Sequence, residues 1–378
     1  MRPKPDFTKV KNFPGTHGNS FDVLLHIMDF IENLPRPVFA AVLLFIAVLP
    51  TWGNWPQTFG LWLFMLGDWA LLAALPRAGK SFGPAKPPAL ALAVLRAPFA
   101  LLPLTFALSL EIIGTLLVIY SFWIEPHRLT ITKQTLRSPK LKPGQPLRIL
   151  HLGDLHIERI TGRERELLKL IPTLNADLIL FSGDFLNLSY IHDPVAQAQA
   201  REIISQWSAP LGVYAVSGSP AVDKEEVVPS PLLDGLPLRW LGDEKVTICH
   251  NGYEIDLVGL VCTHKPFVDG PKLVEVLGSR PSRFTILLYH TPDLVLDAAE
   301  AGVDLQLSGH THGGQVRLPF FGALITASLY GKQFEVGRRQ VDDLTLYVTR
   351  GLGMEGKGAP RVRFLCPPEI ILWEIGGM

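Results

Sequence analysis

Asp304-Leu-Gln-Leu-Ser-Gly-His-Thr-His-Gly-Gly314 decides how the rest of the chain is read. Asp304–Leu307 has the look of a short buried strand, and two histidines follow it, one residue apart and set among glycines. A His-x-His leaving a strand end can aim both imidazoles at one ion. The same design recurs upstream. A strand at Leu147-Arg-Ile-Leu-His-Leu152 runs into Gly153-Asp-Leu-His156, Asp177–Phe181 runs into Ser182-Gly-Asp184, and Thr285–Tyr289 ends on His290. Ligand sites of open α/β sheets form at the carboxyl ends of strands. Asp154, His156, Asp184, His290, His310 and His312 are therefore expected to converge on one rim. Carboxylates mixed with imidazoles suit Zn, Mn or Fe.

Around these segments Arg163–Ile171 and Ala196–Trp207 read as helices. Val213–Val216, Glu254–Val261, Leu344–Val348 and Ile370–Ile375 read as further strands. Helix and strand alternate first and the later half is β-rich, which predicts an α/β (α+β) sandwich of two sheets flanked by helices.

The order Asp-x-His, Gly-Asp, His, Gly-His-x-His resembles the calcineurin-like metallophosphoesterases. Tyr289-His-Thr-Pro-Asp293, Gly309-His-Thr-His-Gly-Gly-Gln-Val-Arg-Leu-Pro319, Arg350-Gly-Leu-Gly353, Arg363-Phe364 and Pro368-Glu369 narrow it to a bacterial membrane-associated branch, phosphodiesterases related to UDP-diacylglucosamine diphosphatases. The likeness covers about Leu147–Ile375. It implies a four-layer sandwich of two mixed sheets flanked by helices, and a hydrolase of phosphoric ester or phosphoanhydride bonds. It also implies one or two divalent ions (Mn, Zn, Fe or Mg) that activate water for attack on phosphorus. By position, Asp154, His156, Asp184 and His312 would hold the first ion, and Asp184, His290 and His310 the second, with Asp184 shared. Asp184 and His310 are the residues assigned to catalysis.

One family motif is altered. Where the family has Gly-Asn-His and then an acidic residue, this chain has Ser217-Gly-Ser-Pro-Ala221. Ser219 stands at the asparagine ligand of the second ion, and Pro220 at the histidine that contacts phosphate and helps the leaving group. A hydroxyl is shorter and a poorer ligand than an amide carbonyl, and proline donates nothing. Losing a positioned proton donor costs about 10²–10⁴-fold in rate. His151, His192 and His264 are available as substitutes, and the sequence places none of them. Two readings follow: an active metal-dependent phosphoesterase, or a weakened descendant that binds a phosphorylated ligand or partner.

The chain has 378 residues, 48% hydrophobic, with 35 basic and 35 acidic side chains. A zero net charge gives no electrostatic footprint for nucleic acid. Cys249, Cys262 and Cys366 make neither a CxxC zinc site nor a disulfide framework. No Gly-x-Ser-x-Gly elbow supports a serine nucleophile. The glycines from Gly351 to Gly358 read as a turn near the rim, Asp293 as a helix cap, and Arg317, Arg350 and Arg363 as candidate contacts for an anion.

The apolar surplus lies early. Residues 1–35 form an amphipathic N-terminal segment, with Phe21, Val23, Leu24, Ile27, Met28, Phe30 and Ile31 set against Asp22, His26, Asp29 and Glu32. Residues 36–125 carry apolar runs at Pro37–Trp52, Thr58–Leu75 and Pro98–Trp123, about three transmembrane helices. Residues 126–146 read as a linker and 147–378 as the metallophosphoesterase domain. Basic residues in the N-terminal segment and between the second and third runs place those parts in the cytoplasm. Three crossings of the cell membrane then put the catalytic domain outside, against the pull of Arg128, Lys133, Arg137, Lys140 and Lys142. A phosphorylated substrate, lipid-linked and presented at the bilayer, is the expected partner.

Overall fold

The computed structural model describes residues 5–10, 12, 13, 16 and 21–378, with side chains from residue 27 onward in the first helix. It divides into two units. One comprises residues 20–127 and 355–364; the other holds the remainder.

The smaller unit contains α1 (Phe21–Glu32), α2 (Arg36–Thr51), α3 (Trp55–Ala74), α4 (Lys86–Arg96) and α5 (Leu104–Ile119). Half of the expected amphipathic face, residues 21–26, lies outside the described side chains. The Glu32 carboxylate at the end of α1 accepts from Ala85 N (2.9 Å) and Lys86 N (2.8 Å), an anion on the first turn of α4. Trp55–Ala74 and the 24-residue stretch Leu104–His127 are long and apolar enough to cross a membrane; Arg36–Thr51 is shorter. The third apolar run, expected as one span from Pro98, instead breaks before Leu104. Pro103 holds Leu102 extended, at φ −92° and ψ 161°, as the residue before a proline prefers. Arg96, one of the basic residues expected in the connection between the second and third apolar runs, is instead buried between Asp68 (2.7 and 2.8 Å) and Glu111 (2.6 Å). Large apolar side chains such as Phe45, Leu63, Phe106 and Leu116 face outward.

The larger unit is built on β1 (Thr130–Ser138), β2 (Leu147–Leu152), β3 (Leu178–Phe181), β4 (Val213–Ala215), β5 (Arg239–Trp240), β6 (Glu244–His250), β7 (Tyr253–Gly259), β8 (Phe284–Leu288), β9 (Leu305–Ser308), β10 (Arg317–Leu318), β11 (Gly322–Ala323), β12 (Gly337–Val341), β13 (Leu344–Val348) and β14 (Glu369–Gly377). Two six-stranded mixed sheets run β1-β14-β2-β3-β4-β5 and β12-β13-β9-β8-β7-β6, with β10 and β11 a separate hairpin. Helices α6 (Gly162–Thr173), α7 (Pro194–Ile204), α8 (Pro266–Leu277) and α9 (Val295–Ala301) complete it.

Strand alternation sorts the core into layers. On β2, Ile149 points between the sheets with Leu178, Leu180, Leu257, Ile286, Leu305 and Trp373. Its neighbour Leu150 points outward, with Phe181, to Leu167 of α6 and Ile203 of α7. Across the second sheet Val258, Leu287 and Leu346 meet Leu273 of α8 and Val295 of α9. Strands covered on both faces are apolar throughout, which is why these runs read as buried strands. The stretch expected as a linker contains β1, paired in parallel with β14 from Thr130↔Glu369 to Ser138↔Gly377. It is an edge strand whose residues alternate between half-buried and exposed up to the buried Ser138, so it carries no apolar pattern.

Candidate metal centre

Strands β2, β3 and β4 are mutually parallel, as are β7, β8 and β9, and the loops leaving their carboxyl ends carry the candidate residues. Asp154 and His156 follow β2, Asp184 follows β3, Ser219 follows β4, His290 follows β8, and His310 and His312 follow β9. All are buried. The structure brings these seven together.

Asp184 lies at the middle. Its Oδ2 is 3.4 Å from His156 Nε2 and 3.3 Å from His290 Nε2, and its Oδ1 accepts from Ser219 N at 2.7 Å. His156 Nε2 faces His312 Nε2 at 3.0 Å. Asp154 Oδ1 accepts from His310 N at 2.8 Å, while its Oδ2 is buried with no hydrogen-bond partner. Ser219 Oγ sits 3.1 Å from His290 Nε2 and 3.3 Å from His310 Nδ1. His290 Nδ1 donates to Ser182 O at 2.8 Å, which turns Nε2 toward Asp184. Three groups of possible ligand atoms lie within 4.8 Å of one another: Asp154, His156 and His312; Asp154, Asp184 and His290; and His264, His290 and His310. Carboxylate oxygens and imidazoles, one oxygen orphaned, fit a divalent ion.

The backbone is contorted here. Asp154, His156, Asp184, His264, His310 and His312 all have φ between 42° and 71°, a region that non-glycine residues occupy at a cost and mostly at functional sites. Gly218 is required for packing: a side chain there would strike the Asp184 carboxylate. The Gly351 turn lies against Asp154, and Gly353 N donates to Asp154 O at 2.6 Å.

Electrostatics split the groups. Burial raises the Asp154 carboxyl to about 6, against the pull of His290. Burial also opposes ionisation of Asp184, yet the neighbouring His290 and His156 hold it well below the usual carboxylate range. Burial would lower His290, but Asp184 carries it up to about 9. Burial, aided by His290, drops His310 to about 3. A proton on His290 thus supplies the positive charge that Asp184 needs.

Two site residues escape motif reading. Asp223 accepts from Asp184 N (2.8 Å), Phe185 N (3.0 Å) and Gly218 N (2.7 Å), stapling the β3 and β4 loops together. It lies two residues past Ala221, the position where the resemblance implies an acidic residue; burial, then the proximity of Asp184, raises its carboxyl to about 7. His264, after β7, enters the cluster with its ring centroid 4.5 Å from that of His310. The other two spare histidines do not. His151 is buried under the rim against Ser182 Oγ (3.1 Å), and the His192 side chain is 63% exposed. The candidate anion contacts are engaged elsewhere: Arg317 pairs with Glu335 (2.8 Å), Arg350 with Glu369 (2.6 Å), and Arg363 is buried in the helical unit, its backbone N–H on Ser121 O. Asp293, expected to cap a helix, instead accepts from Ser328 Oγ (2.6 Å) and Leu329 N (3.1 Å).

Two sheets between helical layers, with a carboxylate–imidazole cluster at their strand ends, define a metal-dependent phosphoesterase. The Calcineurin-like phosphoesterase family matches residues 147–314, and the chain belongs to the calcineurin-like metallophosphoesterases, hydrolases that act on phosphate esters. It is 31% identical to the metallophosphoesterase YkuE of Bacillus subtilis, over 68% of this chain and 88% of that one. It is 25% identical to the UDP-2,3-diacylglucosamine pyrophosphatase LpxG of Chlamydia trachomatis, over 66% and 90% of the two chains. Identity to the phosphodiesterase YaeI of Escherichia coli is 24%, over 67% and 88%.

Proposed function

We propose that this chain is a membrane-anchored phosphodiesterase or pyrophosphatase whose rim holds two divalent ions and whose substrate is lipid-linked. The carrying observation is the single carboxylate oxygen of Asp184 lying between His156 and His290, at 3.4 and 3.3 Å. One oxygen facing both halves of the rim suits a shared ligand. Asp154, His156 and His312 would complete one position; His290, His310 and Ser219 would contribute to the other.

Two bound ions would polarise the phosphoryl oxygens and lower the pKa of water. The protein's own part is to fix the donors. His290 is oriented by Ser182 O, Asp184 by Ser219 N, and the loops by Asp223. His290 must give up its proton on loading, since ligands bind deprotonated. No side-chain acid stands at Pro220, so the leaving group receives its proton from water. That slows the reaction without removing the site.

Two features support a lipid-linked substrate. The apolar helices Trp55–Ala74 and Leu104–His127 suit a multi-pass anchor in the cell membrane, and the basic residues flanking the early runs favour an extracytoplasmic catalytic domain. On the catalytic unit itself, the β10–β11 hairpin that continues the His310–Gly314 loop exposes Phe320, Phe321, Leu324 and Ile325. A contiguous apolar surface of this kind marks a membrane or ligand contact. LpxG, by its name, acts on a diacylated nucleotide sugar.

The test uses the full chain in detergent with added Mn. Bis-p-nitrophenyl phosphate should be hydrolysed, and Asp184→Ala should lower the rate more than about 10³-fold, because removing a single stabilising donor already costs about 10²–10³. Equal rates for the two proteins across several metals would remove the enzyme. A panel of lipid pyrophosphates and soluble nucleotide diesters tests the substrate; cleavage of the soluble esters with every lipid ignored would remove the lipid reading.

A further inference from the structure

We infer that His264 supplies the protein ligand that the Ser219 replacement removed, completing the second metal position from a different strand. This rests on the dinuclear reading above and names a residue outside the family's motif set.

Three independent observations converge on it. First, a ligand atom of His264 lies within 4.8 Å of those of both His290 and His310, the two imidazoles of the depleted half. Its ring centroid is 4.5 Å from His310, nearly edge-on at 78°, and 6.0 Å from His290. Second, His264 is buried and has φ +63°. It shares that left-handed conformation with Asp154, His156, Asp184, His310 and His312, all strand-end residues of the rim. Such strain persists only where surroundings impose it. Third, the loop that bears His264 is pinned on both sides. Thr263 N and Oγ1 donate to the Asp269 carboxylate at 3.0 and 2.7 Å, and Lys265 N donates to Thr263 Oγ1 at 3.2 Å.

The pinning also reaches the altered motif. Cys262 N donates to Ser217 Oγ at 3.0 Å, so the loop after β7 is tied to the loop that carries Ser219 and Pro220. Ser219 Oγ lies against His290 and His310, and His264 reaches the same two imidazoles from the end of β7. Loss and replacement lie on two loops joined by one hydrogen bond. With His264 the second position is offered Asp184, His290, His310, His264 and the Ser219 hydroxyl. Three imidazoles favour Zn, Mn or Fe over Mg.

Metal stoichiometry tests this apart from activity. The full chain in detergent, stripped with chelator, is titrated with Co(II) and followed by visible absorption and elemental analysis. Wild type should bind two ions. His264→Ala should keep the first and bind the second at least about tenfold more weakly, since even partners outside the ligand set cost about 10–100-fold. His192→Ala, an exposed histidine remote in role, should behave as wild type. Two ions of unchanged affinity in His264→Ala would overturn the assignment and leave the dinuclear reading standing. One ion in the wild type would also overturn it, and no ion would remove the metal site altogether. If His264→Ala does not fold, an anomalous difference map of Mn-soaked wild-type crystals decides. A His264 ring nitrogen bonded to the second ion supports the inference, and a ring turned away from it ends it.

Discussion

The two halves of the candidate metal rim carry the same kinds of side chain and differ at the β4 loop. On one side Asp154, His156 and His312 keep the motif residues, their backbones held in left-handed conformation by the β2 and β9 loops. On the other, His290 and His310 remain, but the β4 loop presents Ser219 and Pro220. The altered half has not collapsed. Ser219 Oγ lies between the two imidazoles, Asp223 accepts from Gly218 N in the same loop, and His264, after β7, lies beside both imidazoles. On the reading proposed above, one donor of this half is exchanged for another. On that reading the difference teaches that binding and proton donation are separable: His264 stands in for the lost ligand, while Pro220 has no proton to give.

The strongest way to break that comparison is to give the proton donor back. Pro220→His is expected to raise kcat by as much as about 10²-fold, the low end of what a positioned acid contributes. The gain should be largest for alkyl leaving groups, which need the proton, and small for p-nitrophenol, which does not. Ser219→Asn should add little while His264 is present. Rates for the two leaving-group classes check this, and an equal effect on both would show that the missing histidine is not what limits the chain.

Asp223→Ala probes the device that holds the halves together. Three backbone N–H groups lose a buried acceptor, each at about 1–3 kcal/mol, partly offset by no longer burying a carboxylate. A net loss of roughly 2–4 kcal/mol is expected, read as a lower thermal midpoint. Because Asp223 clamps Gly218 and Asp184, the second ion should weaken before the first in a Co(II) titration. Simultaneous weakening of both would mean that the rim behaves as one unit.

Most of this site was legible because its polar residues interrupt apolar strands at their carboxyl ends, where a two-sheet architecture gathers them. Asp154, His156, Asp184, His290, His310 and His312 each sit at such an interruption. What stayed hidden lacked that contrast. His264 follows Leu260-Val-Cys-Thr263, in a loop whose course depends on Asp269 and Ser217, contacts that cross the chain. Asp223 acts through backbone amides up to 39 residues away. Strand β1 is an edge with only a half-buried face, so its residues resemble a linker. The break at Pro103 was readable in principle, since a proline restrains its predecessor, but a continuous apolar run drew the span across it.

The smallest effect separates two buried histidines that look alike in sequence. His151 lies under the retained half, on β2, with Nε2 3.1 Å from Ser182 Oγ. Burial lowers its pKa to about 3, from an ordinary 6.5. A base depressed on folding contributes stability that is present above its unfolded pKa and lost as pH falls toward the folded one. The window is therefore pH 6.5 down to 3, with a slope approaching about 1.4 kcal/mol per pH unit. At pH 5 the wild type should have lost about 2 kcal/mol that His151→Gln does not lose. The rim histidines are the same in both proteins, so the difference in thermal midpoint between pH 7.5 and pH 5 isolates His151. Co(II) affinity at pH 7.5 should stay unchanged in His151→Gln, because His151 touches the Ser182 hydroxyl and His290 uses the Ser182 carbonyl. A weakened second ion in that variant would make His151 part of the rim and erase the distinction from His264.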